Sequence, residues 1–186
     1  DQLFRTDTRW LGADAALSVP LGGDRTLWLF GDSFIATSAV GRRSESEMVR
    51  NSIAIQQGRD PLTARLQFHW RGDDASPGSF FPERGDHWYW PGHGIRLAEG
   101  PLVIFLFTII ETPGQDLGFA TVGHAIAVGD GPDAAVETWQ PRIHDLPAPD
   151  FDALPATALL RDGDHVVALA IRQRGVHAGA LVRYPA

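Results

Sequence analysis

The sequence contains no cysteine, which excludes disulfides, thiolate metal sites and cysteine nucleophiles. It also contains no lysine: all 16 basic residues are arginine, so Schiff-base and P-loop lysine chemistry are excluded as well. A basic face is equally lacking. The formal net charge is -7, which argues against a nucleic-acid partner, because phosphate backbones are held by clustered cations. The longest apolar run, 101–110, is the length of a strand and too short to span a bilayer, so no membrane partner is expected. No signal peptide is visible. The chain begins with Asp1 rather than Met, which suggests a processed or trimmed product and leaves localisation open, secreted and periplasmic included. Helical periodicity is also scarce. No long window carries a sustained i, i+3, i+4, i+7 apolar stripe, and only 44–48 could form a short helical turn.

What is present is an all-β pattern. Hydrophobic residues make up 44% of the chain and charged residues 21%, an ordinary balance for one globular domain of this length. Short apolar runs alternate with Gly, Pro and Asp. Three stretches share one design: 14–30, 91–105 and 155–169 each place a short apolar strand, a Gly/Asp turn and a stronger apolar strand in succession. Each is followed by a third strand, at 51–56, 123–128 and 178–184, and a fourth is expected at 63–70 and 135–140. Long loops are expected at 36–50 and 71–89. Four antiparallel strands per unit is the architecture of a propeller blade; a β-sandwich is the competing arrangement. The expected fold is therefore a β-propeller, with units at about 10–70, 88–142 and 153–186 in one domain. Rings of this kind have about 4–8 blades, so missing C-terminal blades or a second chain would be needed to close it.

Residues 10–35, WLGADAALSVPLGGDRTLWLFGDSFI, with WPGHGI at 90–95, resemble a family of five-bladed propellers related to glycoside hydrolases. That family includes domains of formerly unknown function linked to arabinan-degrading enzymes. The marks are Asp14 at the start of the inner strand, the LWLFGD block ending at Asp32, and Asn51 opening the third strand. They cover roughly half of this chain, and the chain covers about half of a full member. The resemblance implies a polysaccharide ligand and hydrolysis by paired carboxyl groups. His93 stands where typical relatives have an acid, and Ala156 and Thr157 occupy the corresponding third position.

Glycoside hydrolysis needs one carboxyl group to protonate the leaving oxygen and another to activate water or attack the sugar. In the propeller arrangement Asp14 is the candidate base or nucleophile, with Asp32 and Glu111 as candidate partners on the same rim. Trp88 and Trp90, with Tyr89 between them, are placed on a loop leading to that rim, where aromatic faces suit sugar rings. Arg50 and Asn51 can donate to sugar hydroxyls, and His93 and His124 can hydrogen-bond substrate. No cofactor and no metal are expected. Two alternatives stand beside this reading. One is a non-catalytic carbohydrate-binding or scaffold propeller. The other is a serine esterase of the GDSL type, suggested by FGDSF at 30–34, with Ser33 as nucleophile, His165 as base and Asp162 orienting it.

Overall fold

A computed structural model describes residues 2–38, 41–97, 100–115, 117–129, 133–147, 153–172 and 178–185. The side chains of Ala156 and Thr157, with those of Ala153 and Arg172, lie outside the described residues. The chain forms two compact units, Asp1–Trp90 and Pro91–Ala186. Every pairing is antiparallel, and the only helical segments among the described residues are three short 3-10 turns.

The first unit is built on ten strands: β1 (Trp10–Ala13), β2 (Leu17–Gly22), β3 (Arg25–Phe30), β4 (Ser33–Ala36), β5 (Ser46–Val49), β6 (Ser52–Gln57), β7 (Arg65–His69), β8 (Arg71–Gly72), β9 (Pro77–Gly78) and β10 (His87–Arg96), the last continuing past Trp90. Two sheets dominate, ordered β2-β3-β6-β7 and β1-β4-β5. Alternation makes the edges legible. β2 buries Val19 and Leu21 and exposes Ser18 and Pro20; Pro20 lacks an N–H and is tolerated because β2 is an edge strand. β6 is buried on both faces from Ser52 to Gln56 because it is central.

These two sheets are three chain passages bent at one seam. On one side of the bend Leu17 faces Leu29 and Phe30 faces Ser52. On the other, Ala13 faces Ser33 and Ser33 faces Val49. The register is common to both sides, so the seam falls at the β1–β2 connection, at Gly31 and Asp32, and at Arg50 and Asn51. Apolar side chains fill the inside of the bend. Leu3, Trp10, Phe30, Ile35, Val49, Leu66 and Phe68 form one cluster. In it the Trp10 ring stacks on Phe68 at 4.3 Å and tilts against Phe30 at 4.9 Å, contacts worth about 0.5–1.5 kcal/mol each beyond area burial.

The second unit adds β11 (Leu102–Glu111), β12 (Phe119–Gly129), β13 (Arg142–Asp145), β14 (Ala153–Asp162), β15 (His165–Arg172) and β16 (Gly179–Pro185). They lie in two sheets ordered β10-β11-β12-β13 and β14-β15-β16. β14 and β15 turn at Asp162–His165, with Gly163 at φ 58, a left-handed conformation that favours glycine. Phe105 meets Tyr184 at 5.5 Å within this unit.

The recurring strand order expected from the sequence is present as consecutive antiparallel meanders, but several positions differ. The expected strand at 135–140 is instead a 3-10 turn, Val136–Thr138, and the outer strand is β13. The Thr138 hydroxyl and the Trp139 indole N–H donate to the carbonyls of Ala135 and Ala134, local bonds that hold a turn instead of a strand. The 36–50 loop contains a 3-10 turn, Arg43–Glu45, and strand β5. The 71–89 loop carries the short β8–β9 pair, and residues 88–90 belong to β10 instead of a loop.

Asn51 holds the seam to the segment that follows it. Its side-chain amide donates to the carbonyls of Phe81 and Tyr89 and its oxygen accepts from Phe81 N–H, at 2.7–3.1 Å, with the residue fully buried. Removing three buried bonds and orphaning their backbone partners costs about 2–4 kcal/mol at roughly 1 kcal/mol per bond plus desolvation. Asn51→Ala should lower the unfolding free energy by that amount in urea titration, with an unchanged m-value.

Candidate functional site

The seam gathers ionisable residues of the first unit. Because the register is shared, Asp14 falls opposite Asp32, and Asp32 falls opposite Arg50. The Asp14 N–H donates to the Asp32 carbonyl at 2.9 Å, and the Gly31 N–H donates to the Asp14 carbonyl at 2.8 Å. Directly opposed residues of an antiparallel pair carry their side chains on one face, so Asp14, Asp32 and Arg50 form a row across the sheet. Asp14 lies between β1 and β2, before the inner strand that it was expected to start, and it is exposed. Ala15 beside it has φ 58, a left-handed conformation costing about 1–2 kcal/mol for a residue with a Cβ.

Asp32 is held on several sides. The Trp90 indole N–H donates to its Oδ1 at 2.8 Å, and the Arg50 guanidinium lies 3.9 Å from its Oδ2. Burial pushes its pKa above the ordinary carboxylate value of 3.8; the Trp90 bond and the Arg50 charge act against this, and the Asp14 carboxylate adds to it. Arg50 stacks over the Trp88 ring at 4.2 Å, and its backbone N–H donates to the Ser79 hydroxyl at 3.0 Å. Trp88 and Trp90 alternate onto one face of β10, their rings 6.2 Å apart edge to face.

Beneath Asp32, on the opposite face of the bend, runs a chain of buried hydroxyls. The Trp10 indole donates to Ser52 Oγ at 3.1 Å, Ser52 and Ser33 share a bond of 2.7 Å, and Ser33 Oγ donates to the Gly31 carbonyl at 2.7 Å. The last of these brackets Asp32 between two fixed residues.

The residues singled out in the sequence are thus distributed unevenly. Asp14, Asp32, Arg50, Trp88 and Trp90 come together. Asn51 is spent on the fold, with its amide engaged on both sides and no surface to offer a sugar. Trp88 is 6% exposed, so it supports Arg50 and is no open platform. Glu111, His93 and His124 belong to the second unit. Glu111 is exposed at the end of β11. His93 lies on β10, its Nδ1 buried without a hydrogen-bond partner among the described residues. His124 is buried on β12, and burial lowers its pKa below 6.5, which keeps its ring neutral. Among the described residues no three metal-ligating side chains gather. A cavity of about 550 Å³ in the first unit, lined by Phe4, Pro61, Leu62 and Ala64 with Gln2 and Thr6, shares no residue with the row.

The serine-esterase alternative does not survive. Ser33 is fully buried and its hydroxyl is committed to Ser52 and Gly31. Asp162 and His165 are the paired ends of a hairpin turn, and Asp162 pairs with Arg183 at 3.3 Å. The sheets are antiparallel throughout, whereas that chemistry sits on a parallel α/β sheet.

Sequence reasoning missed the buried hydroxyl chain and Arg43, whose guanidinium lies 3.7 Å over the Phe34 ring. Strand alternation could have placed Ser33 and Ser52 inward. Nothing local in sequence marks Arg43.

A family model described as a domain of unknown function, DUF5005, matches residues 1–168. The chain belongs to the DUF5005 family. No curated protein matches this DUF5005 chain. Among solved structures, a protein of Bacteroides ovatus ATCC 8483, provisionally described as a hydrolase, is similar with a TM-score of 0.72 at 16% identity, over 98% of this chain and 50% of that one. At that identity the likeness is one of fold, and the DUF5005 chain spans half the length of its neighbour.

The raised pKa of Asp32 has a consequence for stability. Between 3.8 and its folded pKa the folded state holds a proton that the unfolded state has lost, so this carboxyl makes the protein less stable as pH rises through that window. Asp32→Asn should therefore be more stable than the parent at neutral pH, with the difference shrinking on acidification and gone well below 3.8, where both states are protonated. Denaturation midpoints across pH measure this. An Asp32→Asn profile parallel to that of the parent would contradict it.

Proposed function

We propose that this DUF5005 chain is part of a β-propeller hydrolase that cleaves glycosidic bonds in a polysaccharide, with Asp32 as general acid and Asp14 as base or nucleophile. The observation that carries the reading is the cross-strand Asp14–Asp32 pair. Two neighbouring carboxyl groups in unlike environments are what the reaction requires. Asp32 is partly buried and its pKa is raised, the direction that favours the protonated form a general acid needs. Asp14 is exposed beside it, where water or a sugar carbon can approach. The proton on Asp32 passes to the leaving glycosidic oxygen. Asp14 takes a proton from the attacking water, or attacks the anomeric carbon itself. Arg50 and Trp90 orient Asp32, and Arg50 offers further N–H donors to sugar hydroxyls.

The propeller part of the reading is supported by the antiparallel sheets β2-β3-β6-β7 and β10-β11-β12-β13, four strands each as in a blade, and by the three-stranded meander β14-β15-β16. The hydrolase part is supported by the likeness in fold to half of a longer protein described as a hydrolase. On this reading further blades or a second chain complete the ring, and arabinan-type glycans are first among the substrates to test.

The test is reducing-sugar release from a panel of plant and bacterial polysaccharides, arabinans included. Asp14→Asn and Asp32→Asn should each lower the rate by at least about 10²-fold, the usual contribution of acid–base catalysis. Trp90→Phe removes a bond that lowers the Asp32 pKa, so it should move the alkaline limb of the pH–rate profile to higher pH. Binding of a polysaccharide without turnover would replace hydrolysis with a carbohydrate-binding role. Turnover that persists in Asp14→Asn would remove this pair from the mechanism.

A further inference from the structure

The row of Asp14, Asp32 and Arg50 is followed on the same face by a second row. Gly12 faces Phe34 and Phe34 faces Met48, and Phe34 lies two residues from Asp32, about 7 Å along the strand. This row is open. A Cβ built on Gly12 would meet nothing within 4 Å, and Met48 is 43% exposed. The Arg43 guanidinium covers the Phe34 ring at 3.7 Å. Arg43 is exposed, and among the described residues no carboxylate pairs with it. The nearest acid in sequence, Glu45, accepts the Ser38 hydroxyl at 2.6 Å.

A guanidinium stacked by its face keeps its N–H donors at the edge, pre-set in a fork that matches a carboxylate or a sulfate. Stacking also reduces the side-chain freedom that would otherwise be lost on binding. For an exposed stack the contact itself adds little stability, a small return for a cation with no carboxylate partner among the described residues. Arg50 repeats the device on Trp88, but its charge is directed to Asp32. Of the two ring-stacked arginines near the carboxyl pair, Arg43 is the one whose charge is not directed to Asp32.

We propose that the polysaccharide handled at Asp14 and Asp32 is acidic, and that Arg43, set by Phe34, binds its anionic substituent one row away from the carboxyl pair. This rests on the carbohydrate reading above and names its substrate class. The shared chemistry is a carboxylate or a sulfate ester on a sugar ring.

Isothermal titration calorimetry of the protein with four polymers separates the outcomes: polygalacturonate, its methyl-esterified form, dextran sulfate and neutral arabinan. The parent should bind polygalacturonate or dextran sulfate in a salt-dependent manner, and whichever binds identifies the anion. The methyl-esterified form should bind at least about tenfold more weakly than polygalacturonate if the carboxylate is the ligand. Arg43→Gln should weaken binding of the anionic polymer by about tenfold, with Arg43→Lys recovering only part, because a point charge lacks the fork. Arg65→Gln, the same charge change at an exposed position on β7, should leave affinity unchanged. Matching thermal melts of the parent and Arg43→Gln would exclude a folding defect. Unchanged affinity in Arg43→Gln, or binding of neutral arabinan alone, would overturn the proposal while leaving the carbohydrate reading in place. Absence of binding to all four polymers would overturn both.

Discussion

The first unit depends on a single constraint: three chain passages must bend at the same place without losing their register. A bend breaks ladder hydrogen bonds and exposes backbone groups that need new partners. The buried hydroxyls of Ser33 and Ser52, tied to the Trp10 indole and the Gly31 carbonyl, supply them on one side. Asn51 ties the seam to the following segment, through the backbone groups of Phe81 and Tyr89. The aromatic cluster of Trp10, Phe30 and Phe68 fills the angle between the two halves. Neutral hydroxyl and amide groups suit this task because each both donates and accepts, and none carries a charge into the interior.

The chemistry follows from the same constraint. At a seam the backbone is no longer shielded on both sides by neighbouring strands, and side chains of opposed residues meet on the outer face. Asp14, Asp32 and Arg50 are brought into one row because their register positions coincide. A raised pKa for Asp32 then arises from its partial burial and, in smaller part, from the neighbouring Asp14 charge, against the Trp90 bond and the Arg50 charge. Two aspartates paired across the strands acquire different environments, one exposed and one half-buried. The arginines are handled in the same way, each laid on an aromatic ring that limits where its charge can go.

The all-β class, the meander order and most strand positions were legible in the sequence, because alternation and Gly/Asp turns are local signals. Pairing Asp14 with Asp32 was also within reach, since they flank the β2–β3 hairpin on either side. The legible part ends where side-chain hydrogen bonds compete with periodicity. Trp139 and Thr138 turned an expected strand into a 3-10 turn. At 36–50 Ser, Glu and Arg conceal a short edge strand, β5.

Composition by itself excluded thiol and lysine chemistry, and local pattern determined that the chain is built of antiparallel strands, since both are properties of residue type and nearest neighbours. Only the tertiary structure decided which polar residues are available to a ligand. Ser33, Asn51 and His124 are as polar in the sequence as Asp14 and Arg50, yet they are buried. Availability is set by which face of a bent strand each side chain takes and by what packs over it, and those contacts come from residues tens of positions away in the chain.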